Sequence, residues 1–211
     1  TFTRDPDYWG RDLPVNRGLW NFDEIRLDYY REANGMFEAF KRGLYDFRTE
    51  TEPLRWHEGY DFPAARSGDV IRDTIKIGTP RPSEFLVFNS RRPKFADPRV
   101  RQALAMLFDF EWVNRNYYFG LFSRAGGYFA GSDLSAYGRP ADDRERELLK
   151  PYLAHIPPDI LEGKYHLPVS DGSGRDRTIL RNALALLSEA GYALDGTVLK
   201  QQSTGTPLRI E

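Results

Sequence analysis

The sequence predicts an α/β fold, and two observations lead to this prediction. The first is a strand, helix, strand order with short turns between residues 25 and 49, where the segment 25–29 alternates apolar and polar side chains and the segment 45–49 follows the helix. The second is a set of amphipathic helices with recognisable cap residues later in the chain. Because a helix that joins two strands in this way usually leaves them parallel, we expect a parallel pair.

The first predicted helix lies between these two strands. Asn34 is placed to cap its start, Met36, Phe37 and Phe40 form its apolar side, and Gly43 is placed to end it. Downstream, Pro53 opens a short helix that reaches the tryptophan at position 56. The segments 70–77 and 84–89 are then predicted to be strands, because branched and aromatic side chains dominate them.

The most regular pattern occurs in residues 89–120, which predict a turn followed by two helices. Asp97 stands at an N-cap position, and Pro98 follows at the helical position where a missing N–H costs nothing. The apolar residues then recur with helical spacing, so that one face of the first helix points to a core. These residues are Val100, Ala103, Leu104, Leu107 and Phe108.

The remaining third of the chain is predicted to alternate loops and helices. Glycines make residues 126–138 a long loop, residues 142–150 form a helix, and prolines leave residues 151–175 with little regular structure. Asp176 caps a strong helix that ends before Gly191, where a left-handed glycine is expected. The segment 194–211 is predicted to be a hairpin with its turn at 203–205.

Composition excludes several functional classes. The 211 residues contain 30 basic and 31 acidic side chains, and a net charge of −1 lacks the positive footprint of a nucleic-acid binder. The chain has no cysteine, and its three histidines lack a second ligand at metal-binding spacing. No G-x-S-x-G motif occurs, and the acidic pairs Glu50/Glu52 and Asp142/Asp143 have no feature that selects them for acid–base catalysis. We therefore expect no enzyme, no metal and no cofactor.

Four blocks in the same order carry a resemblance to a known family. They are D-P-D-Y-W-G at 5–10, M-F-E-A-F-K-R-G-L-Y-D at 36–46, the stretch 89–120 with its D-P-R-V-R-Q-A-L motif, and L-L-S-E-A-G-Y at 186–192. Together they resemble the family 5 extracellular solute-binding proteins of bacterial ABC importers. The pieces 60–68 and 127–142 look like the Yej-type, oligopeptide-binding branch of that family.

This resemblance implies an internal fragment of a periplasmic receptor with a type II-like, mixed-sheet lobe. Residues 1–50 would be the tail of the first lobe and a crossover, and residues 51–211 part of the adjoining peptide-binding lobe. The implied partners are an oligopeptide ligand, an ABC permease in the inner membrane and the remainder of the same polypeptide. One alternative is a receptor for another solute, such as a carbohydrate or a nickel chelate, and the aromatic-rich composition is compatible with a carbohydrate. The other alternative is an unrecognised hydrolase.

Two groups of residues are the candidates for ligand binding. Glu50, Thr51, Glu52 and Trp56 follow a predicted strand, and ligands of α/β proteins collect at the carboxyl ends of strands. The alternative is a solvated acidic loop in which Trp56 fills a gap in the core. The second group rests on the resemblance, since the matching family loop approaches the ligand: Tyr128, Phe129 and Ser132.

Two further motifs have a structural interpretation. The loop 171–176 superficially suggests a cation or phosphate site, but it lacks the residues of an EF-hand or a P-loop, and a turn that delivers Asp176 as an N-cap is favoured. Arg99 and Arg101 are interpreted as structural side chains that pair with nearby acids or lie over the helix start.

Overall fold

The computed structural model describes residues 1–210, and these divide into two compact units. Unit 1 contains Thr1–Thr51 and Gly59–Ile71. Unit 2 contains Glu52–Glu58 and the chain from Arg72 onward. The chain therefore passes between the units three times, after residues 51, 58 and 71.

Unit 1 is built on one helix and very short strands. Strand β1 (Phe2–Thr3) pairs antiparallel with β2 (Glu24–Ile25). A 3₁₀ turn covers Pro14–Asn16, helix α1 covers Ala33–Lys41, and helix α2 covers Pro63–Ser67. The aromatic rings of Phe37, Phe40, Tyr60 and Phe62 form its core.

Several predictions for unit 1 are wrong. The predicted strand 25–29 is reduced to the two residues of β2, and 45–49 forms no strand, so the described residues contain no parallel pair. Glu32, not Asn34, precedes α1, and its side chain makes no capping hydrogen bond. The end of the helix is confirmed, because Gly43 takes a φ of +69° just after the C-cap.

Unit 2 is mainly helical. Its elements are a π-helical turn at Arg55–Gly59, which runs into unit 1, followed by α3 (Pro93–Ala96), α4 (Pro98–Met106), α5 (Phe110–Tyr117), α6 (Asp143–Leu149), a 3₁₀ helix (Lys150–His155), α7 (Pro158–Leu161) and α8 (Arg177–Glu189). Strands β3 (Tyr192–Asp195) and β4 (Val198–Gln201) pair antiparallel. Helices α4 and α8 pack together over a core made of Phe95, Val100, Ala103, Ala183, Leu187 and Tyr192.

The predicted helix caps of unit 2 are confirmed. Asp97 accepts a hydrogen bond from the backbone N–H of Arg99, and Asp176 accepts from the N–H groups of Thr178 and Ile179. Gly191 follows the C-cap of α8 with a φ of +85°. A further cap, which the sequence did not predict, is the complete capping box of Asp142 and Glu145, in which each side chain accepts from the other residue's N–H.

Two of the predicted strands of unit 2 are wrong, because residues 70–77 and 84–89 belong to no strand. The predicted hairpin turn at 203–205 is confirmed. The N–H of Leu208 donates to the Leu199 carbonyl at 2.8 Å, and Lys200 and Pro207 form an antiparallel bridge. A further hairpin, which the sequence did not predict, joins β3 to β4 through a two-residue turn that begins at Gly196, where φ is +62°. Glu211 lies outside the described residues.

Two helical predictions also need correction. Helix α4 ends at Met106, so Leu107 and Phe108 lie beyond its last turn and are exposed. Residues 151–175 carry most of a 3₁₀ helix and all of α7, because prolines at 151 and 158 occupy first-turn positions instead of breaking structure. In residues 1–210, no helix is both long enough and apolar enough to span a bilayer.

Candidate functional site

Glu50, the first of the predicted ligand-binding residues, lies in the interior of unit 1. Its carboxylate is 2.8 Å from Nη2 of Arg48, and the two side chains are only 3% and 5% exposed. The hydroxyl of Tyr60 donates a hydrogen bond to Glu50 at 3.3 Å. Burial raises the pKa of Tyr60, and the neighbouring Glu50 carboxylate raises it further, although Arg48 opposes this. Glu50 is thus held by the fold of unit 1.

Arg48 is fixed from a second side by aromatic rings. Its guanidinium lies 5.0 Å from the ring centroid of Phe37 and 5.9 Å from that of Phe40. Cation–π contacts of this kind are most favourable when the cation is shielded from water, as it is here. Helix α1, which carries both rings, therefore positions the Arg48–Glu50 pair.

Thr51 and Glu52 begin the turn that leads to Trp56, and both are exposed. The N–H of Thr51 donates to the Glu50 carboxylate at 3.1 Å. The carbonyl of Glu52 accepts from the N–H of Trp56 at 2.9 Å, which closes the first turn of the short helical segment. The predicted helix at 53–56 is therefore present, and it continues as the π-helical turn to Gly59.

Trp56 is half-buried and held by Arg72. The Arg72 guanidinium lies 5.3 Å from the indole centroid, and its Nη1 donates to the Trp56 carbonyl at 2.7 Å. The next residue, His57, stacks its ring on Phe119 with a centroid separation of 4.3 Å and an interplanar angle of 15°. These contacts orient the segment 52–58 within unit 2.

Phe119 adopts a left-handed backbone conformation that residues other than glycine rarely take. Its φ is +54°, and Gly120 follows with a φ of +75°. A left-handed conformation costs a residue other than glycine about 1 kcal/mol or more, so packing must hold it in place. The stack on His57 is one contact that packs the Phe119 side chain in this conformation.

The second predicted group occupies one exposed turn of unit 2. Tyr128 is 78% exposed and Phe129 is 52% exposed, and the Tyr128 ring lies 5.5 Å from that of Phe85. The Oγ of Ser132 donates to the Phe129 carbonyl at 2.8 Å and accepts from the N–H of Leu134 at 3.3 Å. Ser132 therefore stabilises the turn, while the two aromatic rings face solvent.

The structure thus sorts the predicted residues into three sets. Glu50 and Thr51 belong to unit 1. Glu52 and Trp56 share one helical turn of unit 2, and the residues 128–132 share one loop of unit 2. The role of each as a ligand contact stays a prediction.

The loop 171–176 is held by hydrogen bonds to two helix-capping aspartates, Asp109 and Asp176. Asp109 accepts from the N–H groups of Trp112 and Gly174, both at 2.9 Å, and from the hydroxyl of Ser170. Burial by itself would raise the pKa of Asp109, but these three hydrogen bonds lower it below the usual aspartate value. Asp176 also accepts from the N–H of Asp171 at 2.9 Å, so the turn interpretation of this loop is confirmed.

Within residues 1–210, no three histidine or acidic side chains are grouped in a way that could hold a metal ion. The hydrogen bonds to Asp109 and Asp176 instead join α5, the 170–174 loop and the start of α8. The predicted structural role of the arginines is also confirmed. Arg99 pairs with Asp97 at 2.7 Å, and Arg101 donates to the carbonyls of Phe95 and Ala96.

Sequence reasoning missed Arg72, which holds the predicted Trp56, and Phe119, which stacks on the neighbouring His57. Arg72 and Phe119 are 16 and 62 positions from the side chains they contact, and no periodic pattern connects them. The adjacent Phe119-Gly120 pair after a predicted helix was one available signal, since glycine at a helix end marks a left-handed turn.

Comparison with known proteins gives a consistent assignment. The family model described as bacterial extracellular solute-binding proteins, family 5, middle region, matches residues 1–209. A relative from Brucella melitensis, provisionally named a binding protein, is 50% identical over 100% of this chain and 34% of its own length. The Agrobacterium fabrum peptidoglycan-binding protein YepA is 42% identical over 90% of this chain and 32% of its own length.

A second Agrobacterium fabrum relative, YejA, is provisionally named a peptide-binding protein. It is 38% identical over 100% of this chain and 34% of its own length. The chain therefore spans about a third of the length of these curated relatives.

Proposed function

Since the chain belongs to the family 5 bacterial extracellular solute-binding proteins, we propose that the full protein captures oligopeptides in the periplasm and delivers them to an ABC permease of the inner membrane. The observation that carries the proposal is the family match over residues 1–209. The remainder of the same polypeptide would supply the rest of the receptor. Residues 1–50 would then form the tail of one lobe, and residues 51–211 part of the other.

The names of two relatives support a peptide as the solute. One relative is named a peptide-binding protein and another a peptidoglycan-binding protein. Peptidoglycan consists of sugar strands that carry short peptides, so a site that recognises peptides is compatible with both names. A peptide ligand accounts for more of the comparisons than a free carbohydrate or a nickel chelate does.

The geometry of unit 2 offers surfaces suited to a peptide. Arg72 covers the Trp56 ring and fixes its orientation, which lowers the entropy lost when a ligand side chain packs against it. Glu52, exposed on the same helical turn, would attract a basic side chain or an amino terminus. The exposed rings of Tyr128 and Phe129 would contact apolar parts of the ligand.

The other candidate residues would support the ligand-contacting side chains. They are Glu50, Thr51 and Ser132. Glu50 is buried beside Arg48, so it would hold the start of the segment that presents Glu52 and Trp56. Thr51 lies between Glu50 and Glu52 in the sequence, and it is exposed. Ser132 would keep Tyr128 and Phe129 in their turn through its hydrogen bond to the Phe129 carbonyl.

A peptidoglycan fragment is the second candidate solute, and the 42% identical relative favours it. Exposed aromatic rings also pack well against sugar faces, so Tyr128 and Phe129 would serve that ligand too. The two candidates differ in whether the sugar contributes to affinity. A peptide stem with and without its attached sugar therefore distinguishes them.

Titration calorimetry of the full-length protein tests the proposal. We expect heat with an oligopeptide pool and a loss of affinity of about tenfold or more for Trp56→Ala or Tyr128→Ala, the size of a contact worth roughly 1.4 kcal/mol. Trp9→Ala is the matched control, because Trp9 is 81% exposed and lies outside the proposed site. Binding only of sugar-containing fragments would favour the second candidate, and no binding of either would reject the proposal.

A further inference from the structure

A cavity of about 320 Å³ lies in unit 2, between the start of α3 and the hairpin of β3 and β4. Its volume is within the range of about 300–1,000 Å³ that small-molecule sites occupy. None of its lining residues belongs to the two groups of candidate ligand-binding residues. The polar side chains that line it are Arg92, Lys94, Tyr192, Gln201 and Thr206. The cavity is therefore a separate place at which to look for a ligand.

The hairpin supplies one wall of the cavity. Tyr192 and Gln201 stand directly opposite each other across β3 and β4, so their side chains lie on the same face of the hairpin. After the turn at 203–205, the Gln201 N–H donates to the Thr206 carbonyl at 2.8 Å, which brings Thr206 beside the other two residues. This wall therefore presents a phenol, an amide and a hydroxyl group to the cavity.

Two of these groups have hydrogen-bonding capacity to spare. Tyr192 is only 7% exposed and its ring belongs to the core of unit 2, yet its hydroxyl makes no hydrogen bond with any residue that the structure describes. A buried polar group without a partner is unfavourable, so a partner for this hydroxyl is expected inside the cavity. The Oε1 of Gln201 accepts from the Thr204 hydroxyl at 3.2 Å, which leaves the amide N–H groups of Gln201 to donate elsewhere.

The opposite wall carries two positive charges. Helix α3 is anchored there because Phe95 packs in the core of unit 2. The Nζ of Lys94 donates to the carbonyl of Arg209 and forms no ion pair within residues 1–210, and the Arg92 guanidinium has neither a hydrogen bond nor an ion pair within the same residues. No acidic side chain lines the cavity. The described residues thus leave both charges without compensation.

We propose that this cavity binds a small organic anion that carries a phosphate or carboxylate group. All five polar lining side chains can donate a hydrogen bond, and two of them are cationic, which matches a ligand rich in anionic oxygens. Because the cavity has the volume of a small-molecule site, it has room for the organic part of such a ligand. The inference goes beyond the proposed function and holds whichever solute the receptor carries.

Titration calorimetry of the full-length protein with three probes tests the proposal. Glycerol 3-phosphate carries a phosphate, malate carries carboxylates, and glycerol is the neutral control. We expect at least one of the two anions to bind with a Kd below about 1 mM and glycerol to give no heat. The anion that binds more tightly shows which group the cavity recognises. No binding of either anion, or equal binding of glycerol, would overturn the proposal.

A matched pair of arginine variants tests whether the anion binds in the cavity. Arg92 lines it, whereas the adjacent Arg91 is exposed and does not. Arg92→Gln and Arg91→Gln remove the same charge from neighbouring positions. We expect Arg92→Gln to weaken anion binding about tenfold or more through the loss of charge-assisted hydrogen bonds, and Arg91→Gln to weaken it less than about threefold. Equal weakening would overturn the proposal, because the anion would then respond only to the charge of the surface.

Tyr192→Phe tests whether the ligand reaches the buried hydroxyl. The substitution removes one oxygen and keeps the ring that packs in the core of unit 2. We expect it to weaken anion binding by about threefold or more, the effect of one lost hydrogen bond. An unchanged affinity in a variant with the melting temperature of the wild type would overturn the proposal, since the anion would then lie outside the cavity.

Discussion

The guanidinium of Arg48 lies 2.8 Å from the carboxylate of Glu50, and both side chains are almost entirely removed from solvent. Removing one partner of such a pair leaves a buried charge without compensation, which costs about 3 kcal/mol or more. We therefore predict that Glu50→Ala lowers the free energy of unfolding by at least that amount. The exposed Asp46 supplies the control, since Asp46→Ala should change stability by less than about 0.5 kcal/mol.

The double variant Arg48→Met with Glu50→Leu separates a lost charge pair from lost packing. Apolar replacements of similar volume often leave stability unchanged, so the double variant should be more stable than Glu50→Ala. Urea denaturation monitored by circular dichroism gives the free energies of unfolding of the wild type, of Glu50→Ala and of the double variant. A double variant less stable than the single one would contradict the account of this pair.

Asp97 provides a prediction about helix capping. Its carboxylate accepts from the Arg99 N–H at 2.8 Å at the start of α4, so Asp97→Ala should lower the free energy of unfolding by about 1 kcal/mol. Asp97→Asn keeps an acceptor for that N–H and should cost less. If the alanine and asparagine variants denature at the same urea concentration as the wild type, Asp97 does not cap the helix.

Asp97 should also make the stability of the fold depend on pH. The hydrogen bond from the Arg99 side chain, and further contacts with Arg99, lower the pKa of Asp97 below its usual value. A lowered pKa in the folded state means that the stabilisation is complete above about pH 5 and is lost as the pH falls through the folded-state value. Stability measured from pH 6 to pH 3 should therefore fall less steeply for Asp97→Asn than for the wild type. Parallel curves would show that Asp97 titrates alike in the folded and unfolded states.

The left-handed conformation of Gly191 leads to a prediction about backbone strain and stability. Its φ is +85°, and a Cβ built there meets no atom within 4 Å, so Gly191→Ala should destabilise by about 1 kcal/mol through backbone strain alone. Gly35 is the matched opposite, because it lies within α1 without a positive φ and its Cβ position is also open. Gly35→Ala should stabilise by about 0.5 kcal/mol. Thermal melts of the two variants that shift in the same direction would contradict this explanation.

Features fixed by neighbouring residues could be predicted from the sequence. The caps at Asp97 and Asp176 and the left-handed Gly191 depend on hydrogen bonds and φ values within a few positions. The hairpin turn at 203–205 is also local and could be predicted, whereas the hairpin of β3 and β4, which turns at Asp195-Gly196, was not predicted.

Features that depend on distant partners could not be predicted. Residues 70–77 have the composition of a strand but form none among the described residues, because strand formation depends on pairing with distant segments that no local pattern identifies. The candidate site shows the same limit. The sequence placed Glu50 and Trp56 on one loop, but only the structure shows that Arg48 buries the first and Arg72 orients the second.

Native mass spectrometry of the full-length protein, purified from its own cells, tests the proposed function most directly. The account predicts that the protein carries a bound solute and that the released molecules fragment as oligopeptides or as peptides attached to peptidoglycan sugars. A bound carbohydrate without amino acids, or a nickel chelate, would contradict the account. So would a solute-free protein that takes up no peptide when a peptide pool is added.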